Sequence, residues 1–293
     1  MRERPPLVLS IQSHVAYGHV GNAAAVLPMQ LLGVQPLPVH TVQFSNHTGY
    51  GEFKGQVFGA EHIRDVIEGL RARGVLARVD AVLSGYLGDA AIGEVILDAV
   101  EELRAARPGL VYLCDPVMGD VGRGVFVRPA IPDFLRRRAL ARADIVTPNQ
   151  FEFELLCGRA AGSLEDAVDM ARALLRTHED EGPRLVVVTS LRTPDLSPAS
   201  LTTLAVDVDS AWTVQTPFVD LSPLPNGMGD VFSAVLLSWL LRGEPAPEAL
   251  ARTVSALYGL IRRMPAGDRD LPLVQARGEI PGPSERFEAV RLA

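Results

Sequence analysis

The chain has 293 residues, of which 47% are hydrophobic and 22% are charged, and its formal net charge is −7. These fractions are close to those of globular proteins, and the length is sufficient for one large α/β domain with a substantial core. The negative charge disfavours nucleic acid as the main partner, because a phosphate backbone requires a basic face. No apolar run is long enough to cross a bilayer, and residues 1–6 lack the apolar segment of a signal peptide. We therefore expect no membrane association and a cytoplasmic location.

Cysteine and lysine usage excludes several classes of site. The two cysteines, Cys114 and Cys157, form no CxxC pair and are too few for a structural zinc site. Lys54 is the only lysine, and it follows Phe53 rather than the glycine that a GxxxxGK[ST] phosphate loop requires. Walker-type nucleotide binding is thereby excluded, and protein kinases are disfavoured because no second lysine is present to pair the phosphates. Any ATP chemistry must use another phosphate cradle.

Short apolar runs alternate with segments of helical periodicity along most of the chain. In chain order, the pattern predicts a strand at 7–11, a helix at 22–32, a strand at 39–44, a helix at 60–73, a strand at 79–83, a helix at 90–106, a strand at 110–114, a helix at 130–141, a strand at 144–147, a helix at 163–177, a strand at 185–189, a hairpin of strands at 201–207 and 211–219, and helices at 230–241 and 248–263.

This alternation is typical of an α/β fold with a mostly parallel central sheet and helices on both faces. The sequence contains no internal repeat, low-complexity tract or proline-rich linker near its middle. We therefore expect residues 1–293 to form a single domain. The Pro- and Gly-rich stretch at 265–283 is interpreted as a surface loop before a short final element.

Polar residues and glycine dominate the positions that follow the predicted strands. In open α/β sheets, ligands bind beyond the carboxyl ends of the strands, so these positions predict the lining of a cleft. They are residues 12–14, 45–48, 84–86, 115–116, 147–149 and 189–190.

The segment Gly227-Met228-Gly229-Asp230 precedes an apolar helix and predicts an anion hole. Two glycines around one residue allow backbone N–H groups to converge, and the helix adds its free N–H groups and the positive end of its dipole. A carboxylate at Asp230 could then take a proton from an attacking hydroxyl. The alternative is an ordinary glycine turn with an acidic first helical turn, and GxGD alone does not exclude it.

Two further acidic segments could serve a metal. Asp115 ends a buried strand and Asp120 follows it closely, while Glu152 lies at a helix start. Hard cations such as Mg²⁺ prefer oxygen ligands of this kind. The alternatives are a solvated turn for Asp120 and a simple helix-start acid for Glu152. His14, His19 and His47 lie near strand ends without metal-ligand spacing, so we interpret them as satisfied or exposed histidines.

The motifs taken together resemble the pyridoxal kinase family, in the order in which that family carries them. VQFSNHTGY is the most specific of them, whereas GMGD alone indicates only the wider ribokinase-like superfamily. The matching segments are SIQSHV at 10–15, YGHVGN at 17–22, VQFSNHTGY at 42–50, LSGYLG at 83–88, CDPVMGD at 114–120, TPNQFE at 147–152 and GMGD at 227–230.

The resemblance implies an ATP-dependent kinase of ribokinase-like fold that phosphorylates the 5′-hydroxyl of pyridoxal, and of pyridoxine and pyridoxamine as further substrates. By the same resemblance, Asp230 is the catalytic base, and Gly227, Met228 and Gly229 form the anion hole. Family members are usually dimeric and use Mg²⁺, often with K⁺, in vitamin B6 salvage. The residues implied on the substrate side are Ser13, Val20, Phe44, Thr48, Gly49 and Tyr86.

On the nucleotide side, the resemblance implies that Asp115 and Glu152 serve the metal. The hairpin exit at 216–219 would border the adenine. The complete set implied for ATP is Asp115, Thr147, Asn149, Glu152, Thr189, Thr216, Pro217, Phe218 and Val219.

Two other functions remain open on the residues. One is a related ribokinase-like kinase that acts on hydroxymethylpyrimidine or a sugar. The other is a non-catalytic protein that binds pyridoxal or its phosphate. The segments before residue 100 favour a vitamin B6 substrate over the first, and Asp230 beside an anion hole disfavours the second.

Overall fold

The computed structural model describes residues 4–176 and 182–292. Thr177 of the predicted helix 163–177, and residues 1–3 and 293 of the predicted single domain, lie outside the described residues. The strands are β1 (Leu7–Tyr17), β2 (Gln35–Asn46), β3 (Gly55–Val57), β4 (Ala81–Ser84), β5 (Val111–Cys114), β6 (Gly119–Asp120), β7 (Gly124–Val125), β8 (Ile145–Val146), β9 (Leu185–Leu191), β10 (Ser200–Asp207), β11 (Ala211–Pro217) and β12 (Val290–Arg291).

The helices alternate with the strands over most of the chain. A π-helical turn (Leu135–Ala139) separates α4 from α5, and a 3₁₀ helix (Thr48–Tyr50) follows β2. The α-helices are α1 (Asn22–Leu31), α2 (Ala60–Ala72), α3 (Ala90–Ala106), α4 (Ala130–Phe134), α5 (Leu140–Arg142), α6 (Gln150–Cys157), α7 (Leu164–Arg176), α8 (Met228–Leu241) and α9 (Ala246–Ile261).

In the described part of the chain, ten strands form one sheet in the order β12-β11-β10-β9-β8-β5-β4-β1-β2-β3. The pairs from β2 across to β9 are parallel, whereas β3 and β10–β12 add antiparallel edges. The predicted mostly parallel α/β fold is thereby confirmed. The six parallel strands place their carboxyl ends along one edge of the sheet, where a ligand cleft is expected.

The sheet buries apolar side chains on both of its faces. Adjacent strand residues alternate between the two sides, so Leu9 packs into one hydrophobic cluster and Val8 into the other. Helices α2, α3 and α7 cover the first cluster, and α1, α8 and α9 cover the second. Within the described ranges, no helix combines the length and apolar character needed to cross a membrane.

Several predicted boundaries differ from the structure. β1 and β2 extend to Tyr17 and Asn46, so Ser13 and Ser45 lie within strands rather than in the loops beyond them, and Phe44 lies in a strand as predicted. Both strands outrun their neighbours because a bulge between Gln12 and His14 lets the pair continue past the body of the sheet. The predicted helix 130–141 is interrupted by the π turn, and α8 begins at Met228 rather than Asp230.

Candidate active site

The glycine segment that is predicted to form an anion hole lies at the start of α8. Gly227 is the N-cap residue, with φ 78°, and a Cβ built on it would lie 1.9 Å from the carbonyl oxygen of His19. Only glycine combines this left-handed backbone with such a close approach. Met228, Gly229 and Asp230 form the first helical turn, whose backbone N–H groups have no partner within the helix. These N–H groups and the helix dipole favour an anion here.

Asp230 is a half-buried carboxylate at the mouth of this anion hole. Burial raises its pKa, and the backbone N–H groups of Gly21 and of Asp230 itself, which donate to the carboxylate, partly oppose that rise. A carboxylate that binds a proton more readily than usual, and is held by two N–H groups, is suited to act as a general base.

Gly21 connects Asp230 to the predicted substrate side. Its φ is 55°, and a Cβ built on it would lie 2.1 Å from the carbonyl oxygen and 2.4 Å from the Oγ of Ser13. Any side chain at this position would displace Ser13, the N–H group that holds Asp230, or both. Gly21 therefore contacts both Ser13 and Asp230, although these two residues are far apart in sequence.

Asp115 ends β5 as predicted and is buried against α8. The side chain of Ser233 donates a hydrogen bond to it, and Ser233 Oγ also lies 2.8 Å from Thr147 Oγ1. A Cβ on Gly229 would be 3.6 Å from Asp115 Oδ2, so this carboxylate adjoins the anion hole. Burial, and then the charges of Glu152 and Asp230, raise the pKa of Asp115 well above its usual value.

Glu152 is buried at the start of α6, where it forms a reciprocal capping box with Asn149. Its Oε1 accepts the N–H of Met118 at 2.9 Å and that of Gly119 at 3.4 Å, and its Oε2 accepts that of Asn149 at 3.0 Å. Burial raises its pKa to about 8, against the lowering effect of these donors. Both carboxylate oxygens of Glu152 are thus already bound by backbone N–H groups of the loops at 118–119 and 149.

We expect the metal-free protein to lose stability as pH rises from about 5 to 8. The pKa of Glu152 is about 8 in the folded chain and 4.5 ordinarily, so the folded state keeps a proton that the unfolded chain releases. The contribution of Glu152 to the free energy of unfolding is complete below pH 4.5 and is lost as the pH rises towards 8. The loss amounts to at most about 1.4 kcal/mol per pH unit. Urea unfolding at a series of pH values measures the slope.

Glu152→Gln is the control for this slope. The amide does not ionise, so the stability of the variant should depend less on pH. The variant should be less stable at every pH, because its Nε2 cannot accept the N–H of Asn149. An unchanged slope would assign the pH dependence to other groups.

The donor set determines which cation the site could hold. Across residues 4–176 and 182–292, no group of three or more His, Cys, Asp or Glu side chains is placed to hold a metal. Mg²⁺ is commonly bound through one or two carboxylates together with substrate phosphates. Buried Asp115, whose pKa is raised partly by Glu152 and Asp230, fits such a cation because its positive charge would relieve this repulsion.

The predicted substrate side lies at the carboxyl ends of the adjacent strands β2, β1 and β4. Ser13 and Phe44 lie near the ends of β1 and β2, and Tyr86 follows β4, where its carbonyl oxygen accepts the hydroxyl of Thr41 at 2.7 Å. Val20 is buried beside the start of α1. Thr48 and Gly49 instead lie exposed on the 3₁₀ helix beyond β2. We call residues 47–51 the substrate lid.

The predicted nucleotide side lies at the ends of β8, β9 and β11. Thr189 pairs with Asn149 through an isolated bridge, and its N–H donates to the carbonyl of Pro148 at 2.9 Å. The guanidinium of Arg192 stacks over the ring of Phe218, 4.5 Å from its centroid. Thr216 is buried, whereas Pro217 and Phe218 are exposed and Val219 is half-buried.

Sequence reasoning missed three features of the site. Gly21 binds Asp230, and its only sequence signal is its position in the YGHVGN motif. Ser233 binds Asp115, and its only sequence signal is its position one helical turn after Asp230. The interpretation of the histidines was also wrong in part. The Nδ1 atoms of His14 and His19 are buried and have no hydrogen-bond partner among the described residues.

Comparison with known proteins shows the family to which this chain belongs. Residues 39–273 match the family model described as phosphomethylpyrimidine kinase. The chain is 47% identical to pyridoxal kinase PdxY of Deinococcus radiodurans, over 98% of this chain and 97% of the relative. It is 48% identical to pyridoxal kinase PdxY of Granulibacter bethesdensis, over 96% and 98%.

Solved structures agree with these relatives. Pyridoxal kinase from Leishmania donovani in complex with ADP and pyridoxamine superposes with a TM-score of 0.89 at 31% identity, covering 98% of this chain and 99% of that one. Pyridoxal kinase from Trypanosoma brucei gives 0.84 at 30% identity, with full coverage of both chains. Since full-length sequence relatives and structural neighbours agree on the same enzyme, this chain belongs to the pyridoxal kinase family and has the ribokinase-like fold.

Proposed function

We propose that this chain transfers the γ-phosphoryl group of ATP to the 5′-hydroxyl of pyridoxal. The observation that carries the proposal is the arrangement around Asp230. A half-buried carboxylate lies in the anion hole of α8 and is held by the N–H of Gly21, which in turn packs on Ser13. The pyridoxal kinase names of the relatives, and the ADP complexes of the structural neighbours, support the same activity.

In this mechanism Asp230 takes the proton of the 5′-hydroxyl as the hydroxyl oxygen bonds to the γ-phosphorus. The bond from that phosphorus to the β,γ-bridging oxygen breaks, and ADP leaves with the electron pair. The backbone N–H groups of Gly227, Met228 and Gly229 stabilise negative charge on the transferring group. The raised pKa of Asp230 makes its carboxylate a stronger acceptor for the proton.

ATP-dependent kinases of this family work with a divalent metal ion, and we propose that the ion here is Mg²⁺. Asp115 would hold it together with the phosphates of ATP, and bound Mg²⁺ would neutralise phosphate charge. Glu152, whose oxygens accept three backbone N–H groups, would keep the loops of Met118 and Asn149 in place beside it. K⁺ is proposed as an accessory ion on the resemblance to the family alone.

For the substrates, we propose that Ser13 hydrogen-bonds the pyridine ring and that Val20, Phe44 and Tyr86 enclose it, under the lid residues Thr48 and Gly49. The proposed ATP contacts follow from the same placement at the ends of β5, β8, β9 and β11. They are Asp115, Thr147, Asn149, Glu152, Thr189, Thr216, Pro217, Phe218 and Val219.

We also propose that the chain forms a single domain, since one sheet carries both sides of the site. A homodimer and a role in vitamin B6 salvage are proposed from the resemblance to the family. So is action in the cytoplasm, where the co-substrate ATP is made.

A coupled ADP-release assay with Mg·ATP tests the activity, with product mass determined separately. We expect pyridoxal-dependent ADP release and formation of pyridoxal 5′-phosphate, with pyridoxine and pyridoxamine as further substrates. ATP binding and pyridoxal binding without turnover would contradict the kinase and favour a vitamin-binding protein.

A second candidate substrate is hydroxymethylpyrimidine, because the matching family model is described as phosphomethylpyrimidine kinase. The same assay includes it as a competitor. A kcat/KM for hydroxymethylpyrimidine above that for pyridoxal would replace the proposed substrate while retaining the phosphoryl-transfer chemistry.

A further inference from the structure

Tyr50, at the end of the substrate lid, contacts a residue 220 positions away. Its hydroxyl donates a hydrogen bond to Oδ2 of Asp270, which lies in the Pro- and Gly-rich stretch 265–283. Burial, and then the bond to Asp270, raise the pKa of Tyr50, so the phenol stays protonated and remains a donor. The stretch interpreted from the sequence as a surface loop thus reaches the lid.

The residue before Asp270 holds the lid a second time. The Nη1 of Arg269 donates to the carbonyl oxygen of Gly49 at 3.1 Å, and its guanidinium carbon lies 5.8 Å from the centre of the Tyr50 ring. Arg269 therefore binds the backbone of the lid helix at Gly49, and the adjacent Asp270 binds the side chain of its last residue, Tyr50.

The other oxygen of Asp270 faces the catalytic loops. Oδ1 accepts the N–H of His19 at 3.1 Å, and a Cβ on Gly18 would lie 2.9 Å from it. His19 is the residue whose carbonyl oxygen packs against Gly227 of the anion hole.

The anion-hole loop is also tied directly to the same stretch. Asn226, which precedes Gly227, donates its N–H to the carbonyl of Arg269 at 2.8 Å. Asn226 and Asp270 also form an isolated parallel bridge. One short segment therefore contacts the lid, the loop of His19 and the residue before the anion hole.

We propose that Asp270 is a positioning residue that latches the substrate lid, through Tyr50, to the loops that shape the anion hole. The inference rests on the proposed function, because the latched lid is the one that carries the proposed substrate residues Thr48 and Gly49. Loss of the latch lowers the fraction of molecules in which the lid is closed. Part of the binding free energy of the ligand is then used to close the lid, so the apparent affinity falls. The latch therefore acts on pyridoxal affinity more than on the transfer step.

Tyr50→Phe removes only the hydroxyl and is the primary test, with Asp270→Ala and the double variant completing a cycle. We expect Tyr50→Phe to raise the KM for pyridoxal about 10-fold, with kcat and the KM for ATP within about two-fold of wild type. Asp270→Ala also removes the acceptor for the N–H of His19 beside the anion hole, so it should raise this KM at least as much and lower kcat as well. The Tyr50 hydroxyl also accepts a hydrogen bond from the side chain of Asn226, so the two single variants share one contact but are not identical in effect. Because they share the Tyr50–Asp270 contact, the double variant should lose less affinity for pyridoxal than the product of the two single losses. Asp268→Asn, at an exposed acid in the same loop, is the matched control and should match wild type.

Hydrogen exchange of residues 47–51, without substrate, separates the latch from the kinase proposal. We expect faster exchange there in Tyr50→Phe, with the core strands unchanged. An unchanged pyridoxal KM in Tyr50→Phe, additive single effects, or faster exchange spread over the whole chain would each overturn the latch. If wild type phosphorylates no vitamer but the lid still loosens and pyridoxal binding weakens, the latch stands and the kinase proposal fails.

Discussion

Asp230→Asn is expected to lower kcat for pyridoxal by about 10²- to 10⁴-fold and to leave ATP binding intact. The amide cannot accept the proton of the 5′-hydroxyl, although it keeps the size of the side chain. The N–H groups of the anion hole are main-chain groups of Gly227, Met228 and Gly229, so the substitution does not remove them. Steady-state kinetics and ATP titration measure the two quantities separately.

Asp209→Asn is the matched control, because Asp209 is an exposed acid in the turn between β10 and β11. It should leave kcat and ATP binding unchanged. A kcat for Asp230→Asn within a few-fold of wild type would rule out Asp230 as the base. Loss of ATP binding in that variant would instead point to damage to the anion hole.

Gly227→Ala is expected to reduce kcat/KM by about 10²-fold or more, because displacements of about 1 Å at a reacting group have effects of that size. The new Cβ would lie 1.9 Å from the carbonyl of His19, so either α8 or that loop must move. Both carry parts of the site.

Gly74→Ala separates this displacement from the general strain of a left-handed residue. Gly74 has φ 67°, close to the 78° of Gly227, but a Cβ on it would meet nothing within 4 Å. It should lose about 1–2 kcal/mol of stability and keep its activity. Kinetics and urea unfolding of both variants test the comparison. If Gly227→Ala loses no more activity than Gly74→Ala, close packing at the anion hole is not required.

Elements with strong local periodicity could be predicted from the sequence. The helix expected at 90–106 is α3 with the same bounds, and the anion hole predicted at 227–230 does lie at a helix start. The lengths of β1 and β2 could not be predicted, because polar residues near their ends resemble loop residues. Pairing between the two strands, rather than propensity, keeps them extended there.

The contacts that complete the candidate site could not be predicted either, for a different physical reason. Tyr50 and Asp270 are 220 residues apart, and neither has a pattern of neighbours that indicates a partner. Gly21 resembles any glycine before a helix until the position of Ser13 is known. Such contacts depend on the tertiary arrangement of loops, whereas periodicity reports only which face of an element is buried.

The order of strands in the sheet has an evolutionary consequence. The residues proposed to recognise the acceptor precede residue 90 and lie on or beyond β1, β2 and β4, whereas those proposed for ATP follow residue 110, from β5 to the end of β11. Asp230 and α8 serve both groups. Substitutions before residue 90 can therefore change which small molecule is phosphorylated and leave the donor side intact, provided that Tyr50 keeps its contact with Asp270 near the other end of the chain.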